Sequence, residues 1–215
     1  MTKKSYNLIK QKSNKIYDQA ADKYKISNQA VFWNDQQTQY YRFYELIKDL
    51  ELNSSETTII DVGCGNGELY KFLNFIGFRG IYTGYDINDK LLKQAKKRFG
   101  DVEFRNTDIL SSKNNKKYDY VLMSGVFNLN AGQDMNFIHD FIKSMFRLCK
   151  KATIFNAIST HVNFKNPKLF YINPSSLLDF CIENITPRIT LMHHNLPYNF
   201  TVTLHQESAW SSTNK

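Results

Sequence analysis

The residues Ile59-Ile-Asp-Val-Gly-Cys-Gly-Asn-Gly67 hold the densest chemical information in the chain. The run Thr57 to Val62 is largely β-branched and reads as a buried strand, and Gly63 follows it at once. Gly63, Gly65 and Gly67 permit a tight reversal and leave no side chain between the backbone and a ligand. Ligands of open parallel sheets lie outside the carboxyl ends of the strands, where helix N-termini point. A dinucleotide turn of the form GxGxxG needs a small third residue for close helix packing, and here that place is Glu68. The pattern is therefore GxGxG, with Asp61 two residues ahead of the first glycine. A second carboxylate, Asp86 in Tyr82-Thr-Gly-Tyr-Asp-Ile87, stands 19 residues after Gly67. At the end of a second strand it suits two vicinal ribose hydroxyls. It equally suits a turn or helix cap ahead of Asn88 and Asp89. Asp108 in Asn106-Thr-Asp-Ile109 follows a third strand, with a loop or capping role as its alternative. Tyr118-Asp-Tyr-Val-Leu-Met-Ser124-Gly-Val-Phe127 reads as a fourth strand and the loop beyond it.

These four features, in this order over residues 59–127, resemble the Rossmann-like (class I) S-adenosylmethionine-dependent methyltransferases, whose first motif is an acid followed by GxGxG. The resemblance implies a seven-stranded, mostly parallel sheet in the order 3-2-1-4-5-7-6, with the last strand antiparallel and helices on both faces. It implies S-adenosyl-L-methionine as cofactor. Asp61, Gly63, Cys64, Gly65, Asn66 and Gly67 would cradle its amino-acid end. Asp86 and Ile87 would hold the ribose, Asp108 and Ile109 the adenine, and Ser124 would close the crevice after the fourth strand. Trp33, Gln39 and Arg42-Phe43, together with Ser124 to Asn128 and the Phe200-Thr-Val-Thr ending, look like a set of little-characterised bacterial methyltransferases. In such enzymes an N-terminal helix lies over the cofactor, so Arg42 would pair with the methionine carboxylate. Its alternative is a surface ion pair with Glu45 or Asp49.

Methyl transfer from a sulfonium is an in-line displacement that needs two ligands positioned and water excluded. A general base is required only for an acceptor that arrives protonated. His161 after the fifth strand and His194 after the sixth fall on the ligand-bearing edge, and they are the candidate bases. His193-His194 lacks a further carboxylate or thiolate at metal-ligand spacing, so no metal site is expected. Cys64 reads as a small residue of the turn. Asn195-Leu-Pro-Tyr198 is similar to the NPPY-type motif of amino-methylating enzymes. That motif belongs after the fourth strand, so here the segment is a turn.

The elements that must position these residues alternate in type. Strands are expected at 57–62, 81–86, 102–105, 118–123, 152–158, 189–192 and 200–205. Helices are expected at 35–52, 68–76, 89–99, 137–149 and 174–183. Strand and helix in alternation mean a parallel sheet with helices on both faces. Residues 1–34 form a basic, part-helical arm with Ile9, Ile16 and Tyr17 among its apolar anchors, and residues 35–208 form the methyltransferase domain.

Composition bounds the rest. The chain has 215 residues, 42% hydrophobic and 22% charged, with 9 Gly and 4 Pro. That is an ordinary globular balance, which excludes a disordered, collagenous or coiled-coil chain. Three widely spaced cysteines argue against a disulfide framework and for a cytoplasmic setting. No apolar run is long enough to span a bilayer, and no apolar segment follows Lys3 and Lys4 to form a secretory signal. The net charge of +8 is concentrated in residues 1–28 and 88–117. It reads either as a solvated basic surface, with Lys where bidentate recognition would want Arg, or as a polyanion platform. Three functions stand in order. First is a methyltransferase acting on a small-molecule or sugar-like acceptor. Next is an RNA or protein methyltransferase using the Lys-rich surface, and then a non-catalytic cofactor-fold binding protein.

Overall fold

The computed structural model describes residues 3–24, 35–112 and 115–207. Seven strands form one sheet: β1 (Thr58–Val62), β2 (Ile81–Asp86), β3 (Glu103–Asn106), β4 (Tyr118–Met123), β5 (Cys149–Ile158), β6 (Ile189–Met192) and β7 (Asn199–His205). Their order across the sheet is β3-β2-β1-β4-β5-β7-β6, as the resemblance implies. The strands β1 to β5 pair in parallel, and β7 runs antiparallel between β5 and β6. The six helices of the described residues are α1 (Lys3–Tyr24), α2 (Gln36–Ile47), α3 (Glu68–Phe75), α4 (Asp89–Arg98), α5 (Met135–Leu148) and α6 (Pro174–Asn184).

Alternate residues along each strand serve opposite faces. Ile59, Tyr82, Leu122 and Ile154 pack with Phe43, Leu46, Phe72, Leu73 and Leu92 of α2, α3 and α4. Ile60, Tyr85, Val121 and Phe155 pack with Ile138, Ile142 and Met145 of α5 and with Leu177 of α6. Both faces of the central strands are therefore covered, which explains why β1 and β4 read as nearly continuous apolar runs. The helix starts are fixed locally. The side chains of Asp35, Asn88, Asp134 and Asn173 each accept the backbone N–H three residues on.

Within the N-terminal arm the described residues form one 22-residue helix, α1, which packs at the carboxyl edge of the sheet. Ile9 joins the α5-side core, and Ala20 and Ala21 are buried. Tyr6 meets Phe137 edge-on and Tyr17 packs with Ala21 and Leu91, and polar ties add to these. Tyr6 bonds Asp140 on α5, and Lys10 pairs with Asp108. Asn14 donates to the Ile87 carbonyl at 3.3 Å, Asn88 donates to Asp18 at 2.9 Å, and Lys90 pairs with Asp22 at 2.6 Å. The basic arm thus lies against the glycine turn's side of the sheet, where the charge distribution alone had set it apart.

Candidate active site

Strand β1 ends in a reversal that its glycines make possible. Gly63 has φ +78°, and a Cβ there would stand 2.2 Å from Val126 Cγ2. Neither the backbone nor the neighbour accommodates any other residue. The amides of Gly63 and Cys64 both donate to the Tyr85 carbonyl, at 2.7 and 3.0 Å, which ties the turn to the end of β2. Gly67, at φ +84°, starts α3 and packs under Phe99 and Phe104. Cys64 is buried against Gly84, where a Cβ would come within 2.8 Å of its sulfur. Burial pushes its thiol well above the usual range, which suits a packing role and not a nucleophile.

Asp86 stands directly across this turn. One carboxylate oxygen accepts the Gly65 amide at 2.8 Å and the other accepts the Asn88 amide at 2.8 Å. Asp86 therefore braces the turn, and each of its oxygens keeps a further lone pair. Burial raises its pKa, and the Asn88, Gly65 and Ile87 amides oppose the rise. Asp61 lies beneath, 3% exposed, with the Tyr82 hydroxyl donating to it at 2.7 Å. Burial pushes Asp61 up to about 7, the Tyr82 bond pulls against this, and the neighbouring Asp86 charge adds to it.

A cavity of about 910 Å³ opens beyond the turn. It is lined by Arg42, Asp61, Gly63, Cys64, Gly65, Asn66, Asp86, Ile87, Asp108, Ile109 and Ser124, which places these sequence-predicted residues around one space. Small-molecule pockets span roughly 300–1,000 Å³, so this one lies near the upper end of that range. The guanidinium of Arg42 is largely buried, which lowers its pKa to about 10 while Asp35 opposes the fall. Nearby, Glu45 takes Lys48 at 2.8 Å and Asn195 at 2.7 Å. Asp108 is committed locally: its carboxylate accepts the Leu110 amide at 3.0 Å and the Ser111 hydroxyl at 2.8 Å, and it pairs with Lys10. Ser124 and the Gly125 amide are held by Asn156, buried on β5, at 3.0 and 3.1 Å.

The candidate bases are elsewhere. His161 and His194 are both exposed and neither lines the cavity. His161 faces His193, with ring centroids 6.1 Å apart. Gly67 also stays out of the lining, and Trp33 lies outside the described residues. The segment Asn195–Tyr198 is a turn: Tyr198 has φ +65°, and its carbonyl accepts the Ser159 amide. Among the described residues no cluster of His, Cys, Asp or Glu has the makings of a metal site.

Several lining residues were not among the site residues expected from the sequence. Lys10, Asn14 and Tyr17 of α1 form the wall facing Asp86 and Asp108. Tyr17 is raised well above the usual phenol range by burial and by the Asp86 charge. The residues Asn128 to Gln133 and 166–169 form another wall. The amide oxygens of Asn14, Gln39 and Asn128 are buried at this cavity with no hydrogen-bond partner among the described residues. Buried unpartnered acceptors mark places for a ligand's donors.

Known proteins agree with this geometry. The family described as a methyltransferase domain matches residues 53–190. The chain belongs to the class I S-adenosylmethionine-dependent methyltransferases. A protein of Mycobacterium tuberculosis named as a methyltransferase is 28% identical, over 70% of this chain and 94% of its own. Another so named, from Invertebrate iridescent virus 6, is 30% identical over 66% of this chain, which spans 56% of that viral protein. Among solved structures, the DhpI complex with S-adenosylhomocysteine superposes with TM-score 0.66 at 14% identity, over 92% of this chain and 96% of that one. The magnesium protoporphyrin IX methyltransferase of Synechocystis PCC 6803, with S-adenosylmethionine bound, superposes with TM-score 0.59 at 18% identity, over 80% and 79% of the two chains. At such identities the methyltransferase shares the fold of both structures. S-adenosylmethionine is the cofactor of its class. The residues present fit it: a side-chain-free turn, a braced carboxylate with free lone pairs, a buried guanidinium and unpartnered amide oxygens around one space.

Proposed function

We propose that this methyltransferase moves a methyl group from S-adenosylmethionine to a small-molecule acceptor within the cavity. The observation that carries the proposal is Asp86, fixed by the Gly65 and Asn88 amides at the rim of a 910 Å³ space. When bound, the cofactor supplies an electrophilic methyl on a sulfonium. Asp86 would accept the ribose hydroxyls, and Ile87 and Ile109 would flank the adenine. Gly63, Gly65 and Asn66 would let the backbone approach the amino-acid end, Asp61 would face its ammonium, and Arg42 its carboxylate. Asp108, already paired with Lys10, would offer the adenine edge less than a free carboxylate, and Ser124 would border the methyl. Positioning and water exclusion are the protein's contribution to such a displacement.

A small acceptor is favoured over RNA or a protein chain because α1 lies across the cavity and its Lys10, like Lys90 of α4, is used within the molecule. Among the described residues no helix is long and apolar enough to cross a membrane. Three free, buried cysteines support a cytoplasmic setting. The exposed positions of His161 and His194 leave them without a role in this proposal. Calorimetry tests it: S-adenosylmethionine should bind with a Kd on the order of micromolar, and wild-type protein that ignores the compound overturns the reading.

A further inference from the structure

The apolar stripe of α2 contains a polar exception. Phe43, Leu46 and Ile47 are buried along one face, and one turn before Phe43 the same face carries Gln39, 1% exposed. Gln39 lines the cavity, yet its side-chain amide makes no hydrogen bond among the described residues, and its oxygen is buried. A buried amide left unpaired costs its desolvation in full, and a leucine there would serve the fold better. Retaining it points to a partner that the protein does not itself supply.

The position of Gln39 says which partner this is. Phe43 packs in one cluster with Cys64, Leu69 and Phe72, so this face of α2 lies against the glycine turn and the start of α3. The rings of Tyr40 and Phe43 fix it there, 5.1 and 5.8 Å from the ring of Phe72. Arg42, three residues on and largely buried, lines the same cavity. An amide offers an N–H donor and a carbonyl acceptor side by side. A zwitterionic α-amino acid offers the matching carboxylate and ammonium. We infer that Gln39 reads the amino-acid end of S-adenosylmethionine, its oxygen accepting an ammonium N–H and its NH2 donating to the carboxylate. The inference rests on the methyltransferase reading above, in which Arg42 meets the same carboxylate. Neither end of the Gln39 amide is held by the protein, so the ligand sets its orientation. Gln39 makes and breaks no covalent bond; it selects a nucleoside that carries the intact α-amino acid.

Calorimetry with two nucleosides tests this. S-adenosylhomocysteine and 5′-methylthioadenosine share the adenosine and the thioether, and only the first carries the amino-acid end. Gln39→Leu is close in size and removes both hydrogen-bonding groups. It should weaken S-adenosylhomocysteine at least about tenfold, the weight of one charge-assisted hydrogen bond, and leave 5′-methylthioadenosine unchanged. The ligand-free variant should unfold at the wild-type temperature or above it, because hydrocarbon has replaced an unpaired amide. Gln39→Glu keeps an acceptor for the ammonium and sets a charge against the carboxylate. Its loss for S-adenosylhomocysteine should be larger still, while decarboxylated S-adenosylmethionine should bind it at least as well as it binds wild type. Equal losses for both nucleosides in the Leu variant mark a packing role and overturn the inference. Unchanged affinity for S-adenosylhomocysteine, the result for an amide satisfied by a buried water, overturns it too. Wild-type protein that binds neither nucleoside overturns the methyltransferase reading as well.

Discussion

Asp86 braces the glycine turn, and in the proposed function it also holds the ribose. Asp86→Asn keeps the shape but exchanges one acceptor for a donor, so the Gly65 or the Asn88 amide loses its partner. Cofactor affinity is expected to fall at least about tenfold by calorimetry, the weight of one charge-assisted hydrogen bond. Gly63→Ala meets both a left-handed backbone and Val126 at 2.2 Å. The cost should reach about 2–4 kcal/mol in urea unfolding, and Val126→Ala should recover part of it by removing the clash. Asp61 carries a pH signature. Its pKa is about 7 in the fold against 3.8 as the ordinary value. Between those limits the native state holds a proton that the unfolded state has lost, so its contribution to stability falls as pH rises from about 4 through 7. Asp61→Asn should flatten that slope in a series of denaturation curves. A bound ammonium favours the charged carboxylate, so cofactor affinity should strengthen as pH rises through 7.

At the scale of elements, α1 buries few apolar residues for its length. Its 22 residues bury Ile9, Ala20 and Ala21, Tyr6 and Tyr17 add partly buried contacts, and polar ties supply the rest. Helices of this composition are marginal alone and depend on what they pack against. The paired variant Lys10→Ala/Asp18→Ala removes ties to Asp108 and Asn88. It should speed amide exchange in α1 and weaken cofactor binding roughly tenfold, while exchange in β1 and β4 stays slow. Asn88→Ala removes the α4 cap on Leu91 as well as the bond to Asp18. About 1–2 kcal/mol of stability should be lost.

For the molecule as a whole, the sheet and its two apolar faces set stability, and the cavity at their carboxyl edge links stability to ligand. Saturating cofactor at about 100 times its Kd should add about 2.7 kcal/mol. That is a rise of roughly 5–10 °C in thermal unfolding for a chain of this size. Asp86→Ala should lose the rise while its ligand-free melting temperature moves far less. A rise that survives Asp86→Ala would place the binding somewhere other than this cavity.

The strand and helix types were written in the sequence because burial imposes period. β1, β2, β4 and β6 agree with their expected spans, β1 to within one residue, and β3 lies one residue beyond its expected span. The α2 helix is shorter than its apolar spacing suggested, ending at Ile47 instead of Leu52, because Lys48 to Leu50 turn away from it. The glycine turn and Asp86 were legible because a ligand approached by bare backbone demands those residue types at that spacing. What the sequence could not show is which distant segments meet. A basic arm came to line the cavity through residues such as Lys10, Asn14 and Tyr17, and two histidines on the expected edge turned to solvent. Asn156 reached Ser124 across neighbouring strands, and residues 166–169 closed a wall against Asn128 to Gln133. Local patterns record each residue's burial and backbone. The shape and charge of the acceptor space depend on contacts between segments far apart in the chain, which only the tertiary structure brings together.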